Sequence, residues 1–339
     1  MNRISFGTFW NHGLLIACVA GVSLLAITLW LARPSWIFIQ IQSLGALGFA
    51  TLFLNFSLGF ICNAKGWEYL LRAQGIHPPF STVLQISCAS YALGYLIPSF
   101  NLAGEPIRVV LATKELGVGK RKVVSTVLAE KLLFTGIIAT FLMGAAVTIM
   151  NMGLPPVIHQ GLFSVAGAGL ALTIATVGGL LVGMPRWIHG VLYSFPSLVS
   201  SSLLQALWAA ATDMRSNLCS RRLEFLIAGL AIAAGVGFNA LTPLLFFFFV
   251  SGQILPLQTL ASLFGLNTVF SLSFWVPPAG LGVTEGAYAG TFSVLGLPVD
   301  QAVAFAFVQR IGVLPILGLG LFYLTREGVL SRGRRSRDG

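Results

Sequence analysis

Pro98-Ser-Phe-Asn-Leu-Ala-Gly-Glu-Pro-Ile-Arg108 ends an apolar segment, yet it carries two prolines, a glycine, an amide, a carboxylate and a guanidinium. Pro277-Pro-Ala-Gly-Leu-Gly-Val-Thr-Glu285 repeats its outline. In both, a proline precedes a glutamate by seven positions, Pro98 to Glu105 and Pro278 to Glu285. The echo continues downstream. Leu116-Gly117 leads to Glu130-Lys131, and Leu295-Gly296 leads to Gln309-Arg310 with the same spacing. These are the expected landmarks of a duplicated membrane unit.

Composition agrees. Of 339 residues, 56% are apolar and 9% charged, against about 25% charged in a soluble domain. Such a chain cannot cover a water-facing surface but can coat several bilayer spans. The net charge of +10 does not point to nucleic acid, because the cations cluster at the ends of apolar segments, as membrane topology requires. Cys18, Cys62, Cys88 and Cys219 stand singly in or beside apolar runs and read as small buried hydrophobes. His12, His77, His159 and His189 are scattered. Neither set has metal-ligand spacing, so no metal or cofactor is expected.

Runs long enough to span lie at about 14–32, 45–64, 123–150, 160–183, 223–250 and 301–324. Two weaker segments, 82–102 and Pro256 to Val276, end at the prolines of the two echoed stretches. Lys114, Lys120, Arg121 and Lys122, the 184–222 connection and the tail Arg332, Arg334, Arg335 and Arg337 read as cytoplasmic. Asn151–His159, Ser251–Leu255 and Gly296–Asp300 carry no lysine or arginine and read as outside. Lys65, Arg72 and Lys114 then share a side, so the chain between them must enter and return. The same holds from 251 to 300.

The expected fold is therefore an all-α polytopic membrane protein forming one integral membrane domain over 1–339. It has about eight hydrophobic segments: six full spans plus two re-entrant hairpins in an inverted repeat. One half runs from about 14 to 151 and the other from about 160 to 325. A basic tail, 326–339, follows, and both termini are expected in the cytoplasm. The stretch 188–212 is diluted by serines and Pro196 and reads as an interfacial helix. Trp67, Trp187 and Trp208 read as interface aromatics, and Phe246–Phe249 as lipid-facing packing.

Broken helices at matching places in two halves mark a transport site. Ionisable residues at membrane depth cost about 2.5–3.5 kcal/mol each on insertion scales, so each needs a role. The candidates are Glu105, Arg108, Glu130, Lys131, Glu285 and Arg310 as substrate-binding groups. Arg108, Lys131 and Arg310 would hold an anionic headgroup or phosphate, and Glu105 and Glu285 would orient those cations or bind a cationic group directly. The hairpin tips would be Pro98, Asn101, Gly104, Pro278, Gly280, Gly282 and Gly286, where glycine permits tight turns. The competing reading makes Glu105–Arg310 and Glu285–Lys131 ion pairs that lock the halves together. Asn239, Thr242 and Pro243 would bend their span and offer polar groups inside. Nothing resembles a nucleophile–base pair, which disfavours an enzyme.

Gly104-Glu105-x-x-Arg108, Ala129-Glu130-Lys131, Pro278-Ala-Gly-Leu-Gly-Val-Thr-Glu-Gly286, Leu295-Gly296 and Gln309-Arg310 resemble the flippase-like transmembrane family. This family is the membrane region of lysylphosphatidylglycerol synthases, and the resemblance covers about 10–325. It implies a bacterial inner-membrane protein that moves lipid, in the best-known members an aminoacylated phospholipid. No aminoacyl-transferase domain follows Arg326 in this chain, so synthesis of lysyl lipid is not expected. Stand-alone relatives accompany hopanoid and cell-envelope glycan-lipid synthesis, which makes lipid-biosynthesis enzymes candidate partners. The Phe and Gly content and the short length resemble the hopanoid-associated kind. The alternatives are a transferase acting on a polyprenyl-phosphate lipid and a non-catalytic scaffold.

Overall fold

The computed structural model describes residues 34–97, 104–150, 152–182, 212–216, 220–273 and 278–326, with positions 23, 26, 27 and 30. Pro98 and Asn101, most of the expected span 14–32, all but the end of 188–212, and the tail beyond Arg326 lie outside them. Among the described residues every regular element is helical: α1 (Pro34–Ser43), α2 (Gly45–Ala73), α3 (Phe80–Leu96), α4 (Gly104–Leu116), α5 (Lys120–Thr148), α6 (Pro156–Val182), α7 (Arg222–Ser251), α8 (Leu257–Ser273), a 3-10 turn (Pro278–Gly280), α9 (Val283–Val294) and α10 (Val299–Arg326).

Five of these, α2, α5, α6, α7 and α10, are long and apolar enough to cross a membrane. They coincide with the expected spans from 45–64 to 301–324. The helices flanking the echoed stretches are shorter: 17 and 13 residues for α3 and α4, 17 and 12 for α8 and α9. A span needs about 20 residues. Each of the four falls short.

The local signals explain these breaks. Pro106 falls in the first turn of α4, where its missing N–H costs no helical bond. The two Leu-Gly echoes are helix stops. Gly117 follows α4 with φ +63°, and Gly296 follows α9 with φ +69°; glycine adopts this left-handed conformation without a Cβ penalty. In both halves the second hairpin limb thus ends by the same device, before the helix that carries the paired polar residues.

Packing is reciprocal between the halves. The first limb of one hairpin, α3, lies on α10, and the first limb of the other, α8, lies on α5. The broadest helix–helix contact is between α2 and α7. Apolar side chains gain little by leaving lipid for protein, so close approach and polar contacts must hold such helices together. Here Asn55 of α2 donates from Nδ2 to the Phe238 carbonyl at 2.9 Å and to Thr242 Oγ1 at 3.1 Å. A Cβ on Gly59 would stand 3.4 Å from the Gly235 carbonyl oxygen across the same seam.

Two expectations about aromatics are corrected. Phe246 and Phe247 are buried, ringed by Tyr288, Phe292 and Phe305, and only Phe248 is largely exposed. Helical geometry splits a run of four between faces, so a single lipid-facing patch was not available. Trp67 is fully buried, its indole N–H on Thr126 Oγ1 at 3.1 Å. Its ring is packed inside the protein, with Arg108 over it 4.9 Å from the centroid, and has no surface to offer to lipid headgroups.

Glycines set the approach to α3. A Cβ at Gly320 of α10 would stand 2.2 Å from the Cys88 carbonyl oxygen, whereas one at Gly318 would meet nothing within 4 Å. Gly320→Ala is expected to lower stability by about 1–3 kcal/mol through overpacking, and Gly318→Ala to leave it unchanged. Thermal melting of the two variants in detergent checks this; equal melting points would refute the contact.

Candidate functional site

The charged residues named from sequence gather into two clusters, one behind each hairpin break. In the first, Lys131 Nζ of α5 meets Glu105 Oε1 of α4 at 2.5 Å. Arg108 of α4 bonds Glu130 of α5 and lies 3.7 Å from Glu105 Oε2. The three-residue step from Glu105 to Arg108 puts both on one helix face. The adjacent Glu130 and Lys131 then take one partner each. Glu130 and Arg108 are buried, while the Lys131 side chain is 42% exposed.

The second cluster has the same plan. Arg310 Nε of α10 meets Glu285 Oε1 of α9 at 2.5 Å, as Lys131 meets Glu105. Three residues beyond Glu285, Tyr288 stands where Arg108 stands beyond Glu105. Its hydroxyl donates to Gln309 Oε1 at 2.9 Å, as Arg108 donates to Glu130. One pair of each cluster is thus an ion pair in both halves. The other is charged in the first half and neutral in the second.

Glu285 also organises the tip. Its Oε2 accepts the Gly282 N–H at 2.9 Å in the first turn of α9, satisfying a donor that the helix start leaves open. Gly280 and Gly282 have φ of +60° and +78°, and Ala279 between the turn residues has φ +55°. Gly286 is corrected from tip to helix: its N–H bonds the Gly282 carbonyl at 2.9 Å as part of α9.

Arg310 closes the same tip from behind. Nη1 donates to the Ala279 carbonyl at 2.8 Å and Nη2 to the Gly280 carbonyl at 3.1 Å. Nη1 also reaches the Tyr95 hydroxyl of α3 at 3.1 Å, and Nη2 returns to Glu285 Oε2 at 3.1 Å. A guanidinium has five N–H donors, and these contacts use all five. Arg310 therefore has no donor left for a phosphate, contrary to the role expected of it. The cross-half pairs Glu105–Arg310 and Glu285–Lys131 are likewise corrected. Each glutamate pairs within its own half, since its partner helix follows it directly in the chain. Across to the first half Arg310 meets an uncharged group, the Tyr95 hydroxyl.

Beside the second cluster lies a cavity of about 330 Å³. Tyr91 and Tyr95 come to it from the first hairpin, Asn239 and Thr242 from α7, Asn267 and Thr268 from α8, and Gln309 and Arg310 from α10. Asn267 donates from Nδ2 to the Tyr288 hydroxyl at 3.0 Å, extending the Tyr288–Gln309 bond into a chain. Its own Oδ1 is buried without a partner. The rings of Tyr91 and Tyr95 stack at 6.0 Å on the wall. The charged residues were legible in the sequence, but Tyr95, Asn267 and Tyr288 were not singled out for the site. For Tyr288 a signal existed: it holds the position after Glu285 that Arg108 holds after Glu105.

The family described as lysylphosphatidylglycerol synthase TM region matches residues 9–320. No curated protein and no solved structure matches the chain.

Proposed function

The chain belongs to the lysylphosphatidylglycerol synthase TM-region family and is a multi-pass membrane protein; from that premise we propose that it translocates lipid across the bacterial inner membrane, with both termini cytoplasmic. One observation carries the reading: a partly open cavity of about 330 Å³ among apolar helices, to which helices from both halves of the chain bring polar side chains. Polar groups in such surroundings are costly unless they serve a ligand or one another. Non-helical backbone at membrane depth is tolerated where it is buried in protein or lines a cavity, and the Ala279 and Gly280 carbonyls are taken up by Arg310, which lines this one. The ion pairs Glu105–Lys131, Arg108–Glu130 and Glu285–Arg310 frame the site by fixing the two hairpins to the helices behind them. Lipid-biosynthesis enzymes are the partners this role would supply or draw on.

The test is movement of lipids with fluorescent acyl chains in liposomes, read by quenching of the outer leaflet. A panel of phosphatidylethanolamine, phosphatidylglycerol and glucosyl diacylglycerol covers headgroups of different charge. Wild type is expected to move at least one of them faster than empty liposomes. Thr268→Trp, which fills the cavity and removes only a bond from Thr268 to its own helix at the Phe264 carbonyl, is expected to abolish the movement. Failure of wild type to move any lipid, or equal rates in Thr268→Trp, would overturn the reading.

A further inference from the structure

We infer, resting on the translocase reading, that the lipid handled here bears an uncharged, hydroxyl-rich headgroup. The cavity takes that headgroup, and the chain leaves past Phe56 into an apolar groove between α2 and α10. The first observation is electrostatic. Arg310 brings the cavity a cation, but Glu285 neutralises it and all five of its N–H donors are engaged. An anionic headgroup would enter without a donor cation, and a cationic one without an available carboxylate. Either would leave a charge buried and uncompensated, which is far costlier than burying a hydrogen-bonded neutral group.

The second observation concerns donors and acceptors. Asn267 Oδ1 is a buried acceptor with no partner. Phosphate oxygens only accept and cannot satisfy it. Close by, Gln309 has its oxygen taken by Tyr288, which leaves its amide N–H groups to donate. An ammonium only donates and cannot answer those. A hydroxyl does both, so a polyol or sugar matches this wall. Tyr91 and Tyr95 bring ring carbons to the same wall, an apolar surface suited to the C–H groups of a sugar ring.

The third observation is the groove. Small-molecule pockets run from about 300 to 1,000 Å³, so a cavity of about 330 Å³ holds one headgroup and no whole lipid. Next to it is a second cavity of about 300 Å³ with an all-apolar lining. Phe49, Leu52, Phe53 and Phe56 of α2 line one side at one-face helical spacing, and Val308, Ile311, Gly312 and Pro315 of α10 repeat that spacing opposite. Phe53 and Ile311 are largely exposed at its outer edge, where lipid lies. Phe56 walls both cavities. Its ring rests on bare Gly312, where a Cβ would come within 2.6 Å of ring carbon Cδ2. The ring is thus the partition between headgroup and chain, and Gly312 sets its position.

The experiment is a binding measurement independent of transport: thermal melting in amphipol with added lipid, since a ligand of the folded state raises its stability. Monoglucosyl diacylglycerol is expected to raise the melting midpoint by several degrees. Phosphatidylglycerol, lysyl-phosphatidylglycerol and headgroup-free diacylglycerol are expected not to. Asn267→Leu and, on another helix, Asn239→Leu should each lose the glucosyl shift; two variants guard against one failing to fold. Gly312→Ala should reduce the shift from the glucosyl lipid while leaving that from methyl glucoside, which has no chain. An equal or larger shift from a charged lipid, an equal shift from diacylglycerol, or no shift at all would overturn the inference. If lipid moves in liposomes without this preference, the inference fails and the translocase reading stands. If no lipid moves, it is that reading that fails.

Discussion

Arg310→Ala is expected to destabilise the protein by about 3–5 kcal/mol, the range for removing one partner of a buried ion pair. Glu285 has no exposed surface, and after the substitution only the Gly282 N–H would remain on its carboxylate among the contacts described. The Ala279 and Gly280 carbonyls and the Tyr95 hydroxyl lose their donor in the same step. Arg310→Lys is expected to recover little, because an ammonium is a point charge with three donors and cannot span four acceptor groups held in a fork. The double variant Glu285→Gln, Arg310→Met should be milder than Arg310→Ala, since no charge is stranded. Melting midpoints of the four proteins in one detergent decide it. A loss below about 1 kcal/mol for Arg310→Ala would mean that water reaches the pair.

Arg108→Ala should be comparably severe, and Lys131→Ala mild, although both cations face Glu105. Arg108 is buried between two carboxylates and lies over Trp67, so its loss leaves Glu105 and Glu130 with Lys131 alone. Lys131 is 42% exposed, and pairs with that much water contribute about 0.2–1 kcal/mol. A sharper comparison comes from the other half, which holds Tyr288 and Gln309 where this half holds Arg108 and Glu130. Arg108→Tyr with Glu130→Gln writes that neutral pair into the first cluster. Replacing a buried ion pair by a matched neutral pair is often close to neutral, so this double variant is expected to melt within about 1 kcal/mol of wild type. Arg108→Ala alone should not. If the double variant is as damaged as the single one, the two clusters are not interchangeable.

The sequence was informative wherever backbone chemistry was at stake. The proline and glycine breaks located both interruptions, the Leu-Gly stops ended α4 and α9, and the apolar runs located the five long helices. The same residues that looked out of place among apolar neighbours turned out to cluster. What chain order could not supply was which cation meets which carboxylate. Glu105 and Glu285 are equivalent by spacing, and only the packed helices show that each turns to the helix following it. The neutral lining was harder still. A tyrosine or asparagine in an apolar helix looks like dilution of a span. Its role emerges when four helices bring such residues to one wall. Phe246–Phe249 misled for a related reason: hydrophobicity does not say whether a face meets lipid or protein.

The Glu285–Arg310 contact also has a consequence for biosynthesis. The two residues are 25 positions apart, and each costs about 3 kcal/mol in hydrocarbon on its own. The second hairpin reaches the membrane first and carries a carboxylate whose partner in the folded structure, Arg310, has not yet been made. Its tip carbonyls also wait for the same guanidinium. The hairpin is therefore expected to settle only once α10 has been synthesised, with α8, α9 and α10 entering the bilayer as a unit and not helix by helix.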